Sequence, residues 1–344
     1  MRKIEVKIDL VGDWQRNVYR WFVINCRSKW RFVEANNAHL AETILRNDFS
    51  SVSEEDRGKL TSYYYNLYHR IVPPAKRKLS APEEGMLFVG VPAERMPTVI
   101  SGWEAFKKDV ESGENLEYRQ TEKRFDIDGK DVLLDRFKIH HFHICVAPKE
   151  RGDYVAYCFV TNDTVKVIAI ESHRVFSRAE LWQTIAERAY QLYPEEFTSF
   201  MFTENVSTTQ VDLETQKKLS WLNINSQFRI GDKQFYPIGM GTTMNGVSLE
   251  AQAWMMRDQR LFSAANNAMK QSAEDNISVI SLVVSDSTES VAFRLFSIAG
   301  SVVEARSEDE SLRMIYDIIT GNVTLSCVDT LVGRLKIKEV VSGR

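Results

Sequence analysis

Three consecutive apolar runs in the middle of the sequence constrain its fold more than any other feature. The runs are Phe137–Val146, Tyr154–Thr161 and Thr164–Glu171, and each has the length and the β-branched and aromatic content of a strand. Because short polar connections join them, they predict consecutive strands of an antiparallel sheet. Helical patterns flank this segment. The sequence therefore predicts an α+β fold, with a central antiparallel β-sheet and flanking helices, plus a C-terminal α+β domain.

Four of the chain's six histidines lie in or next to these predicted strands. His140, His141 and His143 fall in the first strand, and His173 directly follows the third. Alternate residues of a strand share a face, so His141 and His143 would lie on one side with their Cα atoms about 6.5–7 Å apart. His140 would point to the other side. If the third strand lies beside the first, His173 approaches this pair.

One use of these histidines is the cleavage of RNA without a metal ion. An imidazole with a pKa near ~6.5 can remove the proton of a 2′-hydroxyl or protonate a leaving oxygen. Arginine can stabilise the charged phosphorane, and Arg136 and Arg174 are the candidates. In this scheme His143 and His173 act as acid and base, and His141 assists them.

Two other uses of the same histidines remain open. His141, His143 and His173 could bind a metal ion, with Asp135 or Glu171 as further ligands. The histidines could also be half-buried strand residues that neighbouring groups satisfy, without any chemistry. We assign no metal ligand and expect no cofactor.

A basic and aromatic segment near the N-terminus predicts contact with nucleic acid. Its candidate residues are Arg16, Arg20, Arg27, Lys29, Trp30 and Arg31. A second basic group around a proline break adds Lys76, Arg77 and Lys78. Basic side chains bind phosphates and aromatic faces stack on bases. The alternative is an ordinary amphipathic helix, because the spacing of Tyr19 and Phe22 also fits a buried face.

The length of 344 residues exceeds what one core usually fills, so we expect more than one domain. The predicted segments are 1–115, an N-terminal α+β region with the basic and aromatic clusters; 116–203, the histidine-bearing sheet with a following helix; and 210–344, a C-terminal α+β domain. In the last segment, Ser307 and Glu310 form a capping box that predicts a helix.

The N-terminal region begins with an alternating pattern that predicts a strand from Ile4 to Leu10. Asp13 follows at a position suited to cap a helix that runs to about Asn25. A further helix is predicted to begin after Ser53, because acidic residues follow this serine and prolines end the pattern.

Composition limits the class of partner. The formal net charge of −3 argues against binding nucleic acid through overall charge, so any such contact must be local. The four cysteines include no Cys-x-x-Cys pair, which gives no signal of a zinc site or a disulfide framework. No run approaches the roughly 18–20 apolar residues that span a bilayer. We therefore expect a cytoplasmic protein without a membrane partner.

The segment from Arg136 to Arg174 resembles the core of RelE/ParE-type toxins. The resemblance covers about residues 116–180 and rests on the paired strands, an aromatic-rich middle, the tract VKVIAIESHR and the helix that follows. Within that tract, His173 and Arg174 match a recognisable position of the superfamily. The resemblance implies a ribonuclease that cuts messenger RNA without a metal, using basic and imidazole groups on its sheet.

The leading hypothesis is a metal-independent endoribonuclease of toxin or phage-defence type. The first alternative is a non-enzymatic factor that binds nucleic acid or a partner protein through the basic clusters. The second is a metal-dependent enzyme with a three-histidine site. RNA or another nucleic acid is the expected partner, and a partner protein or a homo-oligomer stays open.

Overall fold

A computed structural model gives the coordinates of this chain and describes residues 5–26, 42, 44, 46–121, 131–147, 152–173, 179–202, 212–244, 246–277, 280, 290–299, 302–308, 311–327 and 340–342. Within these ranges helices and mixed sheets occur together, so the chain has the α+β fold that its sequence predicts. An antiparallel arrangement at the centre and flanking helices are both present.

The helices and strands are numbered in chain order. The α-helices with described bounds are α1 (Leu10–Cys26), α2 (Glu54–Arg70), α3 (Glu84–Leu87), α4 (Met96–Ser112), α5 (Val132–Phe137), α6 (Ala179–Leu192), α7 (Leu213–Trp221) and α8 (Leu249–Asp275). The strands are β1 (Glu5–Ile8), β2 (Lys78–Ser80), β3 (His140–His143), β4 (Tyr154–Val160), β5 (Thr164–Ser172), β6 (Phe228–Ile230), β7 (Lys233–Phe235), β8 (Ser290–Ala299), β9 (Val302–Ser307), β10 (Leu312–Asp317), β11 (Val323–Cys327) and β12 (Val340–Ser342). Among the described residues, no helix combines the length and the apolar content that crossing a membrane requires.

The chain forms two compact units. The first contains residues 1–27, 39–61 and 254–344, and the second contains residues 28–38 and 62–253. The first unit has a six-stranded sheet in the order β1-β8-β9-β10-β11-β12, in which β1 pairs with β8 in parallel and the other pairs are antiparallel. The second unit has a four-stranded sheet in the order β2-β5-β4-β3 and the hairpin β6-β7.

Helices cover both faces of the four-stranded sheet. Trp103 and Phe106 of α4 pack on one face, and Trp182 and Ile185 of α6 pack on the other. Strands buried on both faces have nearly continuous apolar sequences, which explains the composition of β4 and β5. Burial of each large apolar side chain contributes about 1.5–3 kcal/mol. These two layers therefore hold the sheet, and the side chains that stand on it, in a fixed arrangement.

The short helix α5 leads directly into β3, and hydrogen bonds define both of its ends. At its start, Asp131 Oδ1 accepts from the backbone N–H of Leu134 at 3.1 Å. At its end, Lys138 adopts a left-handed φ of 58° and donates its N–H to the oxygen of Leu134 at 2.8 Å. A left-handed residue after a helix redirects the chain sharply. The predicted start of the first strand at Phe137 is therefore wrong, and β3 begins at His140.

Other predictions of single elements have mixed outcomes. The second and third central strands are confirmed as β4 and β5, and the helix after Ser53 is confirmed as α2, with Ser53 Oγ accepting from the N–H of Asp56 at 3.1 Å. The predicted cap Asp13 lies inside α1. The capping role predicted for Asp13 belongs to Asp9, because Asp9 Oδ1 accepts from the N–H of Gly12 at 2.9 Å.

The helix predicted after Ser307 is wrong, since this stretch forms β9 and β10. Ser307, the first residue of that capping signal, instead bonds to the start of β10, where its Oγ accepts from the N–H of Leu312 at 2.9 Å. Leu312, Met314 and Tyr316 are buried and alternate with less buried neighbours, which is a strand period of two. A serine side chain can satisfy a nearby backbone N–H in a turn as well as at a helix start, so this pattern is ambiguous in sequence.

The two compact units do not follow the three predicted segments 1–115, 116–203 and 210–344. Glu5 lies opposite Ser290 in the β1–β8 pair, so residues from both ends of the numbering share one sheet. Residues 62–253 belong together and cross both predicted boundaries. Two strands that pair can lie far apart in the sequence. The composition of the segments between them does not reveal which strands pair.

Candidate functional site

Strands β3, β4 and β5 position the clustered histidines. His141 lies opposite Tyr157 in the antiparallel β3–β4 pair, and β4 pairs in turn with β5. His173 follows β5 directly and donates its backbone N–H to the oxygen of Asp153 at 2.8 Å. The third strand does not lie beside the first, the arrangement considered from the sequence, because β4 separates them.

The imidazoles of His141, His143 and His173 nevertheless meet across β4, and we refer to these three residues as the imidazole cluster. The ring centroids of His143 and His173 are 5.0 Å apart with their planes at 22°, and those of His141 and His173 are 5.8 Å apart with their planes at 60°. Neighbouring strands lie only about 4.8 Å apart, so two side chains can reach each other over the strand between them. The predicted approach of His173 to the pair is confirmed.

The spacing of the rings limits how a substrate can bind. Aromatic atoms in contact are about 3.5–4.0 Å apart, so a separation of 5.0 Å between His143 and His173 leaves no room for a phosphate between the two planes. A substrate must meet the edges of the rings. Nε2 of His173 is buried, so a phosphodiester could approach that ring only at Nδ1.

A hydrogen bond fixes the proton position on His143. Its Nδ1 lies 3.1 Å from the carbonyl oxygen of Gly152. A carbonyl oxygen can only accept, so Nδ1 must carry the hydrogen. In the neutral ring, Nε2 is then the basic nitrogen. This arrangement suits His143 to remove a proton from a substrate at Nε2.

His141 is buried, and its charge depends on Asp131. The Nδ1 of His141 lies 3.8 Å from Asp131 Oδ2. Burial lowers the pKa of His141, while Asp131 opposes that shift and the neighbouring His143 adds to it. His141 therefore favours the neutral form. The same Asp131 caps α5, so the backbone holds its carboxylate in place.

Tyr157 and Glu171 share the sheet face of the imidazole cluster. Tyr157 donates its hydroxyl to the oxygen of Ser172 at 3.4 Å, and burial raises its pKa, with Glu171 and Asp131 adding to the rise. Burial also raises the pKa of Glu171, and Arg188 on α6 opposes this. Sequence reasoning missed Asp131 and Tyr157 as neighbours of the site. The signal for Tyr157 is its position opposite His141 in a regular pairing.

His140 stands on the opposite face of β3 and takes no part in the imidazole cluster. Its ring stacks on Phe142, with centroids 6.2 Å apart and planes at 19°. Burial, with His69 adding to the effect, lowers the pKa of His140 to about 3. The strand alternation predicted from sequence therefore holds, and His140 is a neutral structural residue.

The structure does not bring Arg136 to the imidazole cluster. Arg136 lies on α5 and donates hydrogen bonds to the oxygens of Ser220, Ser226, Gln216 and Gln227. Its ring contacts are with Phe137 and Phe228. The assignment of Arg136 to the phosphate is therefore corrected, because the sequence placed it at a strand start and it belongs to a helix. Arg174 lies outside the described residues.

The candidate nucleic-acid contacts in α1 are only partly described. Arg16 donates to Asp13 Oδ1 at 2.7 Å and lies over the ring of Phe49, whereas Arg20 is exposed. Arg27, Lys29, Trp30 and Arg31 lie outside the described residues. Tyr19 and Phe22 are buried, as the amphipathic-helix interpretation requires.

The second basic group divides into exposed and buried members. Lys76 and Lys78 are exposed and available to a partner. Arg77 is buried, and it donates to the backbone oxygens of Thr161, Ala75 and Pro73 at 2.9–3.3 Å. Its proposed contact with nucleic acid is therefore corrected to a structural role, in which the guanidinium joins the loop before β2 to the end of β4.

Two further findings bear on the site. Within the described ranges, no three His, Cys, Asp or Glu side chains are placed together so that they could hold a metal ion. The chain matches no protein-family model, no curated protein and no solved structure. The imidazole cluster therefore offers proton transfer at ring edges, with a tautomer fixed at His143 and a carboxylate beside His141.

Proposed function

We propose that this protein is a cytoplasmic, metal-independent endoribonuclease of toxin or phage-defence type, in which the imidazole cluster transfers the protons. The observation that carries the proposal is the approach of His143 and His173 to 5.0 Å, because two imidazoles at this distance can act on one phosphodiester. The resemblance to RelE/ParE-type toxins adds support through His173, which follows the apolar strand β5 as it does in the resembled pattern.

In the proposed reaction, Nε2 of His143 accepts the proton of the 2′-hydroxyl. The 2′-oxygen forms a bond to phosphorus, and the bond from phosphorus to the 5′-oxygen breaks. Protonated His173 donates its proton to that departing 5′-oxygen. The products are a 2′,3′-cyclic phosphate and a 5′-hydroxyl, and the two imidazoles have exchanged protonation states.

His141 and Asp131 are neighbours of the two reacting imidazoles and assist the reaction. Asp131 Oδ2 lies 3.8 Å from His141 Nδ1, so positive charge on this imidazole is stabilised when it develops. The ring of His141 lies 5.8 Å from that of His173 and, in the neutral form that burial favours, assists by its position and not by a charge. Arg174 follows His173 in the sequence and remains the proposed holder of the phosphate.

Cleavage of a labelled single-stranded RNA in the presence of EDTA tests the proposal. We expect cleavage by the unaltered protein, with cyclic phosphate ends, and a loss of about 10²–10⁴-fold in rate for His143→Ala and for His173→Ala. His140→Gln is the matched control, because His140 lies on the same strand and faces the other way. Its cleavage rate should equal that of the unaltered protein.

Each variant must also be shown to fold, by circular dichroism and a thermal unfolding curve. Undiminished cleavage in both alanine variants would remove the proposal. Cleavage that appears only when a divalent metal is supplied would instead support the metal-dependent alternative. Salt-sensitive RNA binding without cleavage under either condition, weakened by the Arg20→Ala substitution, would support the non-enzymatic alternative.

A further inference from the structure

The six-stranded sheet of the first unit has two unlike faces. Along β10, the side chains of Leu312, Met314 and Tyr316 are buried on one face, and Arg313 and Ile315 alternate with them on the other. Both alternating residues are only partly buried. An antiparallel sheet can keep one face packed while the other contacts water. The face that bears Arg313 is therefore open to a partner.

Three arginines lie side by side across this open face. Arg294 of β8 lies opposite Arg306 of β9, and Arg306 lies opposite Arg313 of β10. Neighbouring strands are about 4.8 Å apart, and like charges directly opposite each other destabilise a sheet. A local arrangement that lowers stability is typical of a functional surface. These arginines therefore indicate a role that packing alone does not explain.

A buried glutamate holds two of these arginines in place. Glu304 of β9 is buried, and it accepts from Arg306 Nε at 2.8 Å and from Arg313 Nη2 at 3.0 Å. Burial alone would raise the pKa of Glu304, but the bonds from the two guanidinium groups lower this pKa below its ordinary value. The carboxylate is therefore charged at neutral pH. Each guanidinium carries five N–H groups and keeps donors that Glu304 does not engage.

A buried aspartate adds a fourth arginine. Asp13 of α1 is buried, and its Oδ2 accepts from the backbone N–H of Leu295 at 2.9 Å, which fixes the carboxylate beside β8. Its Oδ1 lies 3.5 Å from Arg294 Nη1 and accepts from Arg16 Nη1 at 2.7 Å. Arg16, which the sequence predicts to contact nucleic acid, thus lies next to Arg294. We refer to Arg16, Arg294, Arg306 and Arg313 as the arginine row.

Solvent meets the cations of the arginine row more than the anions that hold them. The arginine side chains are 25–46% exposed, whereas those of Asp13 and Glu304 are 6% and 8% exposed. Among the described ion pairs of the row, the exposed carboxylate is Glu308, 3.0 Å from Arg294. The surface is therefore positive, although the opposite charges nearly balance. A local patch of this kind can bind a polyanion in spite of the chain's net charge of −3.

Phe296 adds an aromatic face beside the arginine row. It lies at a bulge in β8, where the register with β9 shifts between Leu295 and Ser297, and bulges redirect side chains. Its side chain is 53% exposed, which is unusual for a large apolar residue in a sheet. The guanidinium of Arg306 lies over the ring, 3.4 Å from its centroid. Cationic and aromatic groups therefore meet at one place on the open face.

We propose that the arginine row and Phe296 bind single-stranded RNA. Guanidinium groups form strong, bidentate hydrogen bonds with phosphates, and arginines on neighbouring strands can reach successive phosphates of one chain. An unpaired base can stack on the exposed ring of Phe296, whereas the bases of a duplex are stacked on one another. The choice of RNA rests on the proposed function, but the binding of a single strand does not, because it requires no cleavage.

Fluorescence anisotropy with the full-length protein tests this surface. The probe is a short, labelled 2′-O-methyl oligouridylate, which lacks the 2′-hydroxyl that the proposed cleavage needs. We expect binding that weakens with salt, with a slope of about −2 to −3 in a double-logarithmic plot, because three or four phosphates are neutralised. A double-stranded RNA of the same length should bind more weakly.

The Arg313→Gln substitution removes one of these phosphate contacts. It should weaken binding about 5–10-fold at low salt and reduce the steepness of the slope by about 0.7. Arg260→Gln is the matched control, since Arg260 is an exposed arginine of α8 in the same unit and the change of charge is the same. The slope and the affinity of this control should equal those of the unaltered protein.

Substitution of Phe296 tests stacking separately from charge. Phe296→Ala should weaken binding about 5–100-fold and leave the salt slope unchanged, because it removes a stacking surface and no charge. Phe296→Tyr keeps the ring and should bind as the unaltered protein does. Phe296 is half exposed, so both variants should fold, and thermal unfolding curves of all variants check this.

Several outcomes would overturn the inference. One is a salt slope and an affinity that are the same in Arg313→Gln, Arg260→Gln and the unaltered protein, which would leave the arginine row a structural ion network. Others are unchanged binding by Phe296→Ala, or a duplex that binds as tightly as the single strand. Displacement of the probe by polyglutamate as readily as by unlabelled RNA would instead indicate an acidic protein partner. If Arg313→Gln fails to fold, the Phe296 variants decide.

The same measurements separate this inference from the endoribonuclease. Probe binding that depends on Arg313 and Phe296, without any cleavage of ordinary RNA, would keep the binding surface and remove the enzyme. Cleavage that His143→Ala abolishes, together with unchanged probe binding in Phe296→Ala and Arg313→Gln, would keep the enzyme and remove the binding surface.

Discussion

The imidazole cluster and the recess beside α5, which Asp135, Arg136, Asn225 and Gly241 help to line, belong to the same unit but are built in opposite ways. The cluster comes from one continuous stretch, His140–His173, and the described hydrogen bond that orients His143 goes to a single carbonyl oxygen. The recess comes from three separate segments that reciprocal hydrogen bonds hold together. A site formed by strands that are close in the sequence can be recognised there as a cluster of residue types. A site formed by distant segments can be recognised only in the structure, by examining each buried polar atom.

This difference predicts that substitutions in the recess change the free energy of unfolding more than substitutions in the imidazole cluster do. The largest effect is expected at Asp135, where burial raises the pKa from its ordinary 3.8 to about 7. The folded protein then holds this proton more tightly than the unfolded chain between about pH 4 and pH 7. The free energy of unfolding therefore falls as the pH rises through that interval.

Asp135→Asn removes this proton and its pH dependence. Relative to the unaltered protein, the variant should gain stability as the pH rises from 4 to 7, by up to roughly 4 kcal/mol at about 1.36 kcal/mol per pKa unit. Urea unfolding curves of both proteins at pH 4, 5, 6 and 7 measure the difference. Parallel pH dependence in the two proteins would mean that folding does not raise the pKa of Asp135.

A smaller loss is expected when the guanidinium of the recess is removed. Arg136→Met leaves the oxygens of Ser220, Ser226, Gln216 and Gln227 without their donor, and it should lower the free energy of unfolding by about 3 kcal/mol. Arg229→Met is the matched control, because Arg229 is exposed on β6. Similar urea midpoints for the two variants would contradict the structural role of Arg136.

The smallest effect is expected in the imidazole cluster. His143→Ala removes the hydrogen bond to Gly152 and a half-buried ring, so it should lower the free energy of unfolding by about 1 kcal/mol. The same variant is expected to lose nearly all cleavage. If His143→Ala destabilised the protein as strongly as Arg136→Met, the cluster would be part of the scaffold, and the contrast between the two regions would fail.

Much of the sheet that carries the cluster follows from sequence, because its signals are local. Alternation places His141 and His143 on one face and His140 on the other, and the lengths of β4 and β5 follow from their apolar runs. The order of the strands does not follow. The ring of His173 reaches the pair over β4, and only the coordinates show that an intervening strand permits this.

The recess could not be predicted, and Arg136 shows why. The run from Val132 to Phe137 is apolar apart from two charged residues, and six residues are too few to distinguish a helix from a strand by period. The left-handed conformation of Lys138 ends the helix, although lysine is not typical of that position. The acceptors around Arg136 come from residues 216–227, some 80 positions away, and no pattern in the sequence links them.

The parallel pair of β1 and β8 has a consequence for the way this chain is made. Glu5 leaves the ribosome hundreds of residues before its neighbour Ser290. During that interval β1 has no partner of its own, while the stretch 62–253 can already collapse around its four strands. Loop closure over so long a segment is slow. The six-stranded sheet thus cannot be completed until β8 has been synthesised, and until then β1 is exposed to pairing with other chains.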